Sequence, residues 1–489
     1  MTTTAPRFII YTWGCQMNED DSEQIANLLM QMGYSPTDRP EEADVAMLVT
    51  CSVRAKPEAK ARAKLGELRL LKNRRPEMII GVCGCMAQRV GESIVRGRPF
   101  IDLVVGTGQI ARIPDLIRQV LQSRRFVSAL DLDRSIPERV PRAGDAVKSF
   151  VPVMYGCDNY CAYCIVPYVR GPERSRPIDE IAAEIRELAQ RGRKEVTLIG
   201  QNVNSYTDPG HSRSGAPADF AELLRVVNEI DGIERIRFTT SHPKDLSDRL
   251  IEAMRDLDKV CEHIHLPVQS GDDDVLRAMN RGYTASHYCE RVAALRQAVP
   301  GIAITTDLLV GFPGESEEQF ENTIRLVEEV RFDSAFMFAF NPIPGTAAEK
   351  MPGQVPACVK GERLRRLIEL QNRITCEINN SQVGQVYEVL VEGRSPKDPN
   401  RLTGLTRQNK TVNFTVPLNS PESTLGKGEG NAYCISSETG AAGGPEALFG
   451  QLVDVRITEG HLYGFRGESL PDRRRHRVCI PSQHPQTTG

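Results

Sequence analysis

The sequence contains no run of 18 apolar residues, so no part of it is expected to span a membrane. Its start, MTTTAPRFIIYTWG, lacks a positive segment, a long apolar stretch and a small-residue cleavage site, so no secretory leader is expected. Charge of one sign is also lacking: the net charge is −3, which by itself points to no partner, since a local basic patch can bind nucleic acid on a near-neutral chain. A disulfide framework is excluded as well. Thirteen cysteines, an odd number, are scattered along 489 residues of a chain expected in the reducing cytoplasm. Thiols that matter there bind metal or react.

What is present is a soluble globular composition, 40% hydrophobic and 26% charged, at a length that suggests several domains. Residues 6–125 alternate short apolar runs with amphipathic stretches. The runs are Phe8–Thr12, Val45–Val49, Met78–Val82 and Asp102–Val105, with helical patterns such as Asp21–Met32 and Ala55–Leu71 between them. This rhythm predicts a parallel-sheet α/β domain. Residues 126–148, rich in Pro, Arg and Asp, read as a linker. Over 149–378 six βα units follow at barrel spacing, which predicts a partial (β/α)6, TIM-like barrel. Over 380–470 short β runs with turn residues predict a small all-β barrel, interrupted by a flexible insertion at 417–445. Residues 471–489 read as a disordered tail.

Cys157-Asp-Asn-Tyr-Cys161-Ala-Tyr-Cys164 directly follows the first barrel strand. Three thiolates on one tight loop suit three irons of a [4Fe–4S] cube and leave the fourth iron open to a chelating small molecule. A structural zinc would ask for a fourth Cys or His nearby, and none follows within dozens of residues. Chance placement is the other alternative. The position at a strand's carboxyl end, where barrel sites lie, argues against it.

Cys15, Cys51 and Cys85 follow the first, second and third strands of the first domain. Loops at the carboxyl ends of parallel strands open to one side of a sheet, so the three converge without any local motif. Each alone is ordinarily a small buried hydrophobe. Three on consecutive strand ends point to a second three-thiolate cluster. Cys83 has the alternative of pointing into the core.

Trp13-Gly14-Cys15-Gln16-Met17-Asn18, Thr50-Cys51-Ser52-Val53-Arg54, Gly84-Cys85-Met86-Ala87-Gln88 and GCDNYCAYCIVPYVRG (156–171) resemble the methylthiotransferase family of radical S-adenosylmethionine enzymes. GQNVN (200–204), RFTTSHP (237–243) and HLPVQSG (265–271) are similar to its branch that acts on N6-isopentenyladenosine in tRNA. The resemblance runs to about residue 467 and includes a C-terminal barrel of the TRAM type. It implies two [4Fe–4S] clusters, one on Cys157, Cys161 and Cys164 and an auxiliary one on Cys15, Cys51 and Cys85, with S-adenosylmethionine as cofactor. It implies reductive cleavage to a 5′-deoxyadenosyl radical and hydrogen removal from C2 of the modified adenosine just 3′ of the anticodon. Sulfur would come from the auxiliary cluster and the methyl group from another S-adenosylmethionine. The implied partners are the tRNA, a reductant such as flavodoxin or ferredoxin, and an iron–sulfur carrier. Sister enzymes acting on threonylcarbamoyladenosine in tRNA or on a ribosomal-protein aspartate share the same cysteines. An RNA-binding protein with a structural cluster is the non-enzymatic alternative.

Candidate cofactor contacts are Gln201, Asn202, Gln269, Ser270, Asp307 and Gly311, with Ser241 and His242 beside them. All lie near expected strand ends, where capping a helix or bonding a loop is the ordinary role. His242 and His265 read as structural. Arg394, Arg407 and Lys410 of the small barrel are candidate RNA contacts. Arg54–Arg75, with nine basic and two acidic residues, reads as a phosphate-facing stripe or a solvated helix face. Arg473–Arg475 and Arg477 add loose affinity. Two departures from the family pattern stand out: Ile343 within Asn341–Ala347 and Leu405 within Gly404–Thr406 each replace a usual arginine.

Overall fold

The computed structural model describes residues 5–52, 55–132, 135–140, 146–211, 217–416 and 445–470. Two compact units appear, residues 1–374 and 375–489. The insertion expected at 417–445, apart from Pro445, and the tail lie outside the described residues, as do Arg54, Arg473–Arg475 and Arg477.

The first unit opens with a six-stranded parallel sheet. Its strands are β1 (Arg7–Trp13), β2 (Ser35–Pro36), β3 (Val45–Thr50), β4 (Ile79–Cys83), β5 (Leu103–Val105) and β6 (Val127–Ala129), in the order β2-β1-β3-β4-β5-β6. All six residues of β3 are buried, which is why VAMLVT is a continuous apolar run rather than an alternating one: both faces are covered. Helices α1 (Gln16–Gln31) and α4 (Ile113–Ser123) supply Ile25, Leu29, Ile113, Leu116, Ile117 and Val120 to one face. On the other, α2 (Ala55–Arg74) and α3 (Cys85–Val90) supply Ala61, Leu65, Leu68, Met86 and Ala87. Strand β6 falls inside the stretch expected as a linker. Further along that stretch Val140 is held by the Gln24 side chain, 2.9 Å from its backbone N, and Arg139 pairs with Asp20 of α1 at 2.7 Å.

Six parallel strands then form the partial barrel. Lys148–Pro152 (β7), Glu195–Ile199 and Arg235–Thr239 make one three-stranded sheet, and His263–His265, Ala303–Val310 and Ser334–Ala339 another. A bridge between Ile236 and Val260 joins them. The helices fall where the apolar period places them, Ala285–Ala298 and Glu317–Val330 among them; the latter starts with a reciprocal capping pair, Ser316 and Gln319. The strand Ala303–Val310 ends two residues beyond its apolar run, Ile302–Leu308, and Asp307 lies within it.

The second unit is a closed five-stranded barrel: Val386–Ser395, Asp398–Thr406, Thr411–Thr415, Gly464–Ser469 and Leu452–His461 in spatial order. Val389, Val391, Leu402, Val412, Phe414, Val455, Ile457 and Phe465 fill it. Gly464–Ser469 was not among the expected strands. Its parallel pairing with Thr411–Thr415 closes the barrel.

Candidate active site

The barrel thiols sit on a loop that begins at Gly156. Its φ is 77°, and a Cβ there would lie 2.0 Å from the Pro172 carbonyl oxygen, so only glycine lets the chain double back on itself. Cys157 N then donates to Gly171 O at 3.1 Å, and Cys164 N donates to Cys161 O at 2.9 Å, turning the loop tightly. Asn280 braces it from outside, its Nδ2 donating to the carbonyls of Asn159 and Tyr160 at 3.1 Å each. Cys157 and Cys161 are buried and Cys164 is half-buried. Burial pushes the Cys157 thiol up to about 11 and the Cys164 thiol up to about 12. Arg281, buried, donates from Nη1 to Cys161 Sγ at 3.4 Å and from Nη2 to Pro267 O at 2.8 Å.

The dispersed thiols are brought together by the sheet. Strands β1, β3 and β4 are neighbours, and Cys15, Cys51 and Cys85 follow their carboxyl ends on one side. Cys15 caps α1 and Cys85 opens α3. A Cβ on Gly14 would lie 2.7 Å from Cys51 Cβ, so glycine allows the first two loops to touch. Cys51 N donates to Trp13 O at 3.0 Å. A hydrogen bond from Cys51 is the main reason the Cys15 thiol falls to about 5, with the charge of Arg170 adding to it. Burial raises Cys85, while the charge of Arg170 pulls the other way. Cys83 is fully buried in the core with Met47, Val49 and Leu103, so its alternative holds.

The two thiol sets adjoin. Helix α5 (Val166–Arg170) leaves the barrel loop just after Cys164 and packs on α3; Ile165 and Val169 touch Cys85, with Ile343 against them. One of the two departures, Ile343, therefore fills an apolar seam beside the dispersed thiols. At the end of α5, Arg170 pairs with Asp21 of α1 at 2.7 Å, with side-chain exposures of 5% and 7%. Among the described residues no three His, Cys, Asp or Glu side chains are arranged to hold a single metal ion. A cube asks for something else, each thiolate binding its own iron. Two gathered thiol triplets, each beside a buried arginine, of which Arg281 donates to Cys161 Sγ, suit such a group in chemistry and in charge.

Around the barrel's open end lies a second signature. Among the described residues, Gln201 Oε1, Asn202 Oδ1, Asn204 Oδ1, Thr240 Oγ1, Ser241 Oγ, His242 Nε2 and Asp307 Oδ1 are buried without a hydrogen-bond partner. The loops that carry them are stitched together: Val203 N donates to Thr240 O at 2.9 Å, Ser241 N to His265 O at 3.3 Å, and Gln269 N to Asp307 O at 2.8 Å. Buried polar atoms are nearly always satisfied, so a group of orphans at a barrel's functional end marks where a polar ligand belongs. His242 takes a backbone bond from Lys244 at Nδ1, and burial, with Arg281 and Lys244 nearby, pushes it down to about 2. His265 lies between Thr305 Oγ1, 3.1 Å away, and Asp307 Oδ1, 3.7 Å away.

Other expected contacts are already engaged. The Ser270 hydroxyl takes a bond from Asp272 N at 3.2 Å and lies 3.3 Å from Thr323 Oγ1. Gly311 N donates to Glu315 Oε2 at 2.6 Å, and Glu315 pairs with the buried Arg363 at 2.8 Å. Gln269 is buried with φ 71°. In the second unit Arg394 pairs with Glu446 at 3.1 Å, Lys410 donates to Asn379 Oδ1 at 2.8 Å, and Arg407 lies on the turn after Thr406. Of the basic stretch, Arg62, Lys64, Lys72 and Arg75 each pair with a carboxylate. Sequence reasoning missed Arg170, Asp21 and Arg281. A signal existed for Asp21: it sits with Asp20 in the first half of an amphipathic helix, where a buried acid needs a cation.

The radical SAM superfamily matches residues 151–327, a family described as Uncharacterized protein family UPF0004 matches residues 7–106, and the TRAM domain matches residues 380–470. In fold the chain resembles the radical S-adenosylmethionine methyltransferase TsrM from Kitasatospora setae, at 12% identity and TM-score 0.52 over 71% of this chain and 74% of that one. Fold and site thus define a radical S-adenosylmethionine protein, a class whose cofactors are an iron–sulfur cluster and S-adenosylmethionine. Curated relatives include tRNA-2-methylthio-N(6)-dimethylallyladenosine synthases from Acetivibrio thermocellus, 52% identical over 83% of this chain and 85% of the relative, and from Alkaliphilus oremlandii, 46% identical over 95% and 93%. A third, from Moorella thermoacetica, is 46% identical over 96% of this chain and the whole of the relative. The chain belongs to the tRNA-2-methylthio-N(6)-dimethylallyladenosine synthase family. Among the described residues no helix is long and apolar enough to cross a membrane.

Proposed function

We propose that this chain, in the cytoplasm, converts N6-isopentenyladenosine 3′ of the tRNA anticodon to its 2-methylthio derivative, using two [4Fe–4S] clusters. Cys157, Cys161 and Cys164 would hold the cluster that binds S-adenosylmethionine, and Cys15, Cys51 and Cys85 the auxiliary one. When bound, these groups supply the electron, the radical and the sulfur that the conversion needs. The chain positions them. Gly156 and Asn280 fix the barrel loop, Gly14 lets the dispersed thiols meet, and the seam of Ile165, Val169 and Ile343 keeps water from the space between. Gln201, Asn202, Ser241, His242 and Asp307 offer unsatisfied polar atoms to the cofactor and the nucleoside. Neutral His242, with Nδ1 accepting, would donate from Nε2. Gln269, Ser270 and Gly311 would line the cofactor beside them, on loops held by the bonds of Asp272 N to Ser270 and of Gly311 N to Glu315.

The single observation that carries the reading is the adjacency of the two thiol sets across α5 and α3, which supports a sulfur source beside a radical source. A flavodoxin or ferredoxin would deliver the electron, and an iron–sulfur carrier would load the thiols. Arg394, Arg407 and Lys410 remain the proposed RNA contacts. The decisive test is anaerobic reconstitution with isopentenylated tRNA and mass spectrometry of its nucleosides. Methylthiolated nucleoside and 5′-deoxyadenosine are expected together. Turnover on threonylcarbamoyladenosine tRNA alone would reject the substrate.

A further inference from the structure

We propose that Arg170 is a positioning residue for the auxiliary iron–sulfur site, holding its thiolates from the helix that leaves the radical-generating one. The inference rests on the reading of Cys15, Cys51 and Cys85 as cluster ligands and goes beyond it. Arg170 is buried and its Nη2 lies 2.7 Å from Asp21 Oδ2. One carboxylate cannot use a guanidinium, which carries five N–H donors in a fixed fork. The helix that carries Arg170 packs on Cys85 through Val169, and the positive charge of Arg170 acts on both Cys85 and Cys15. Asp21 comes from α1, the helix that Cys15 caps, so the acid and one thiol share an element. Arg170 therefore joins three pieces: α1 through its bond to Asp21, α3 through the packing of its own helix on Cys85, and α5, whose first residue is two positions after Cys164.

The charge balance favours a metal-bound partner. Three thiolates around an iron–sulfide core carry net negative charge in a place where Cys51 and Cys85 are buried, and an isolated charge there is costly. A fixed cation beside the sulfurs offsets that cost, and its attraction strengthens as the site gains an electron. The barrel site uses the same device independently, Arg281 donating to Cys161 Sγ at 3.4 Å.

The test uses the full-length chain with Cys157, Cys161 and Cys164 changed to alanine, so that iron and electron paramagnetic resonance report the auxiliary site alone. With Arg170 intact, anaerobic reconstitution should give about four irons per chain. Arg170→Met should lose iron to a chelator at least tenfold faster and, where reducible, at a lower potential. Arg170→Lys keeps the charge but not the fork, so it should recover the potential and not the chelator resistance. Should the methionine variant fail to fold by circular dichroism, the lysine variant carries the test through its chelation rate. Parent-like chelation and potential in the folded variants would overturn the inference alone. No iron in the parent would overturn the ligand assignment, and the inference with it.

Discussion

The barrel thiols and the dispersed thiols solve the same problem in opposite ways. The first set lies within eight residues of one loop, and its protons are held tightly by burial, Cys157 to about 11 and Cys164 to about 12. The second is assembled by three strand ends, and one member, Cys15, is exposed and falls to about 5. A compact loop fixes geometry by local turns and needs little from the rest of the fold. A dispersed set takes its geometry from the sheet and can take charge from anything the sheet brings near, here Arg170. The comparison teaches that sequence spacing measures how local a site is, not how well it is built.

Breaking either set should separate the two roles, and this is the largest expected effect. Cys161→Ala should abolish cleavage of S-adenosylmethionine. Cys51→Ala should retain 5′-deoxyadenosine formation, measured by chromatography, and lose methylthiolation of tRNA. Normal methylthiolation by Cys51→Ala would merge the two sets into one. A smaller effect sharpens the contrast in charge. In the metal-free chain at neutral pH, Cys15 is a thiolate while Cys157 and Cys164 remain protonated, so iodoacetamide should label Cys15 at least tenfold faster, as read by peptide mass spectrometry. The lower intrinsic nucleophilicity of a low-pKa thiolate narrows the gap without closing it. Equal labelling would remove the electrostatic distinction.

The smallest effect concerns histidine, which only the barrel side possesses: the first in the chain is His211. His242 is held neutral by burial and by Arg281 and Lys244, its folded value pushed down to about 2 from about 6.5 unfolded. Its stability contribution is therefore complete above pH 6.5 and is lost as pH falls toward 2. Between pH 6.5 and pH 5 the loss is about 2 kcal/mol. Denaturant titrations of the metal-free chain should show this loss, and His242→Gln should not show it.

Much of this was legible in the sequence where structure is local. The Cys157–Cys164 spacing, the continuous apolar run of β3 and the helical period of Ala285–Ala298 each read directly into their elements. The convergence of Cys15, Cys51 and Cys85 needed one more step, the rule that parallel strand ends share a side. What escaped were pairings between distant segments. Asp21 and Arg170 are 149 residues apart, Cys161 and Arg281 120 apart, and no periodicity links them. Gly464–Ser469 escaped for another reason: GFRGES has too few apolar side chains to announce a strand, and its place is set by its neighbours in the barrel. The orphaned atoms of Asn204 and Thr240 became visible only when their surroundings were known to be dry.

The closure of the C-terminal barrel has a consequence for how it can hold anything. With Thr411–Thr415 joined to Gly464–Ser469, its five strands leave no open margin of unpaired amides and carbonyls. No foreign segment can be recruited as a sixth strand. Recognition by this unit falls to side chains and turns, so exchanging its turns between relatives would redirect its preference while leaving its frame intact.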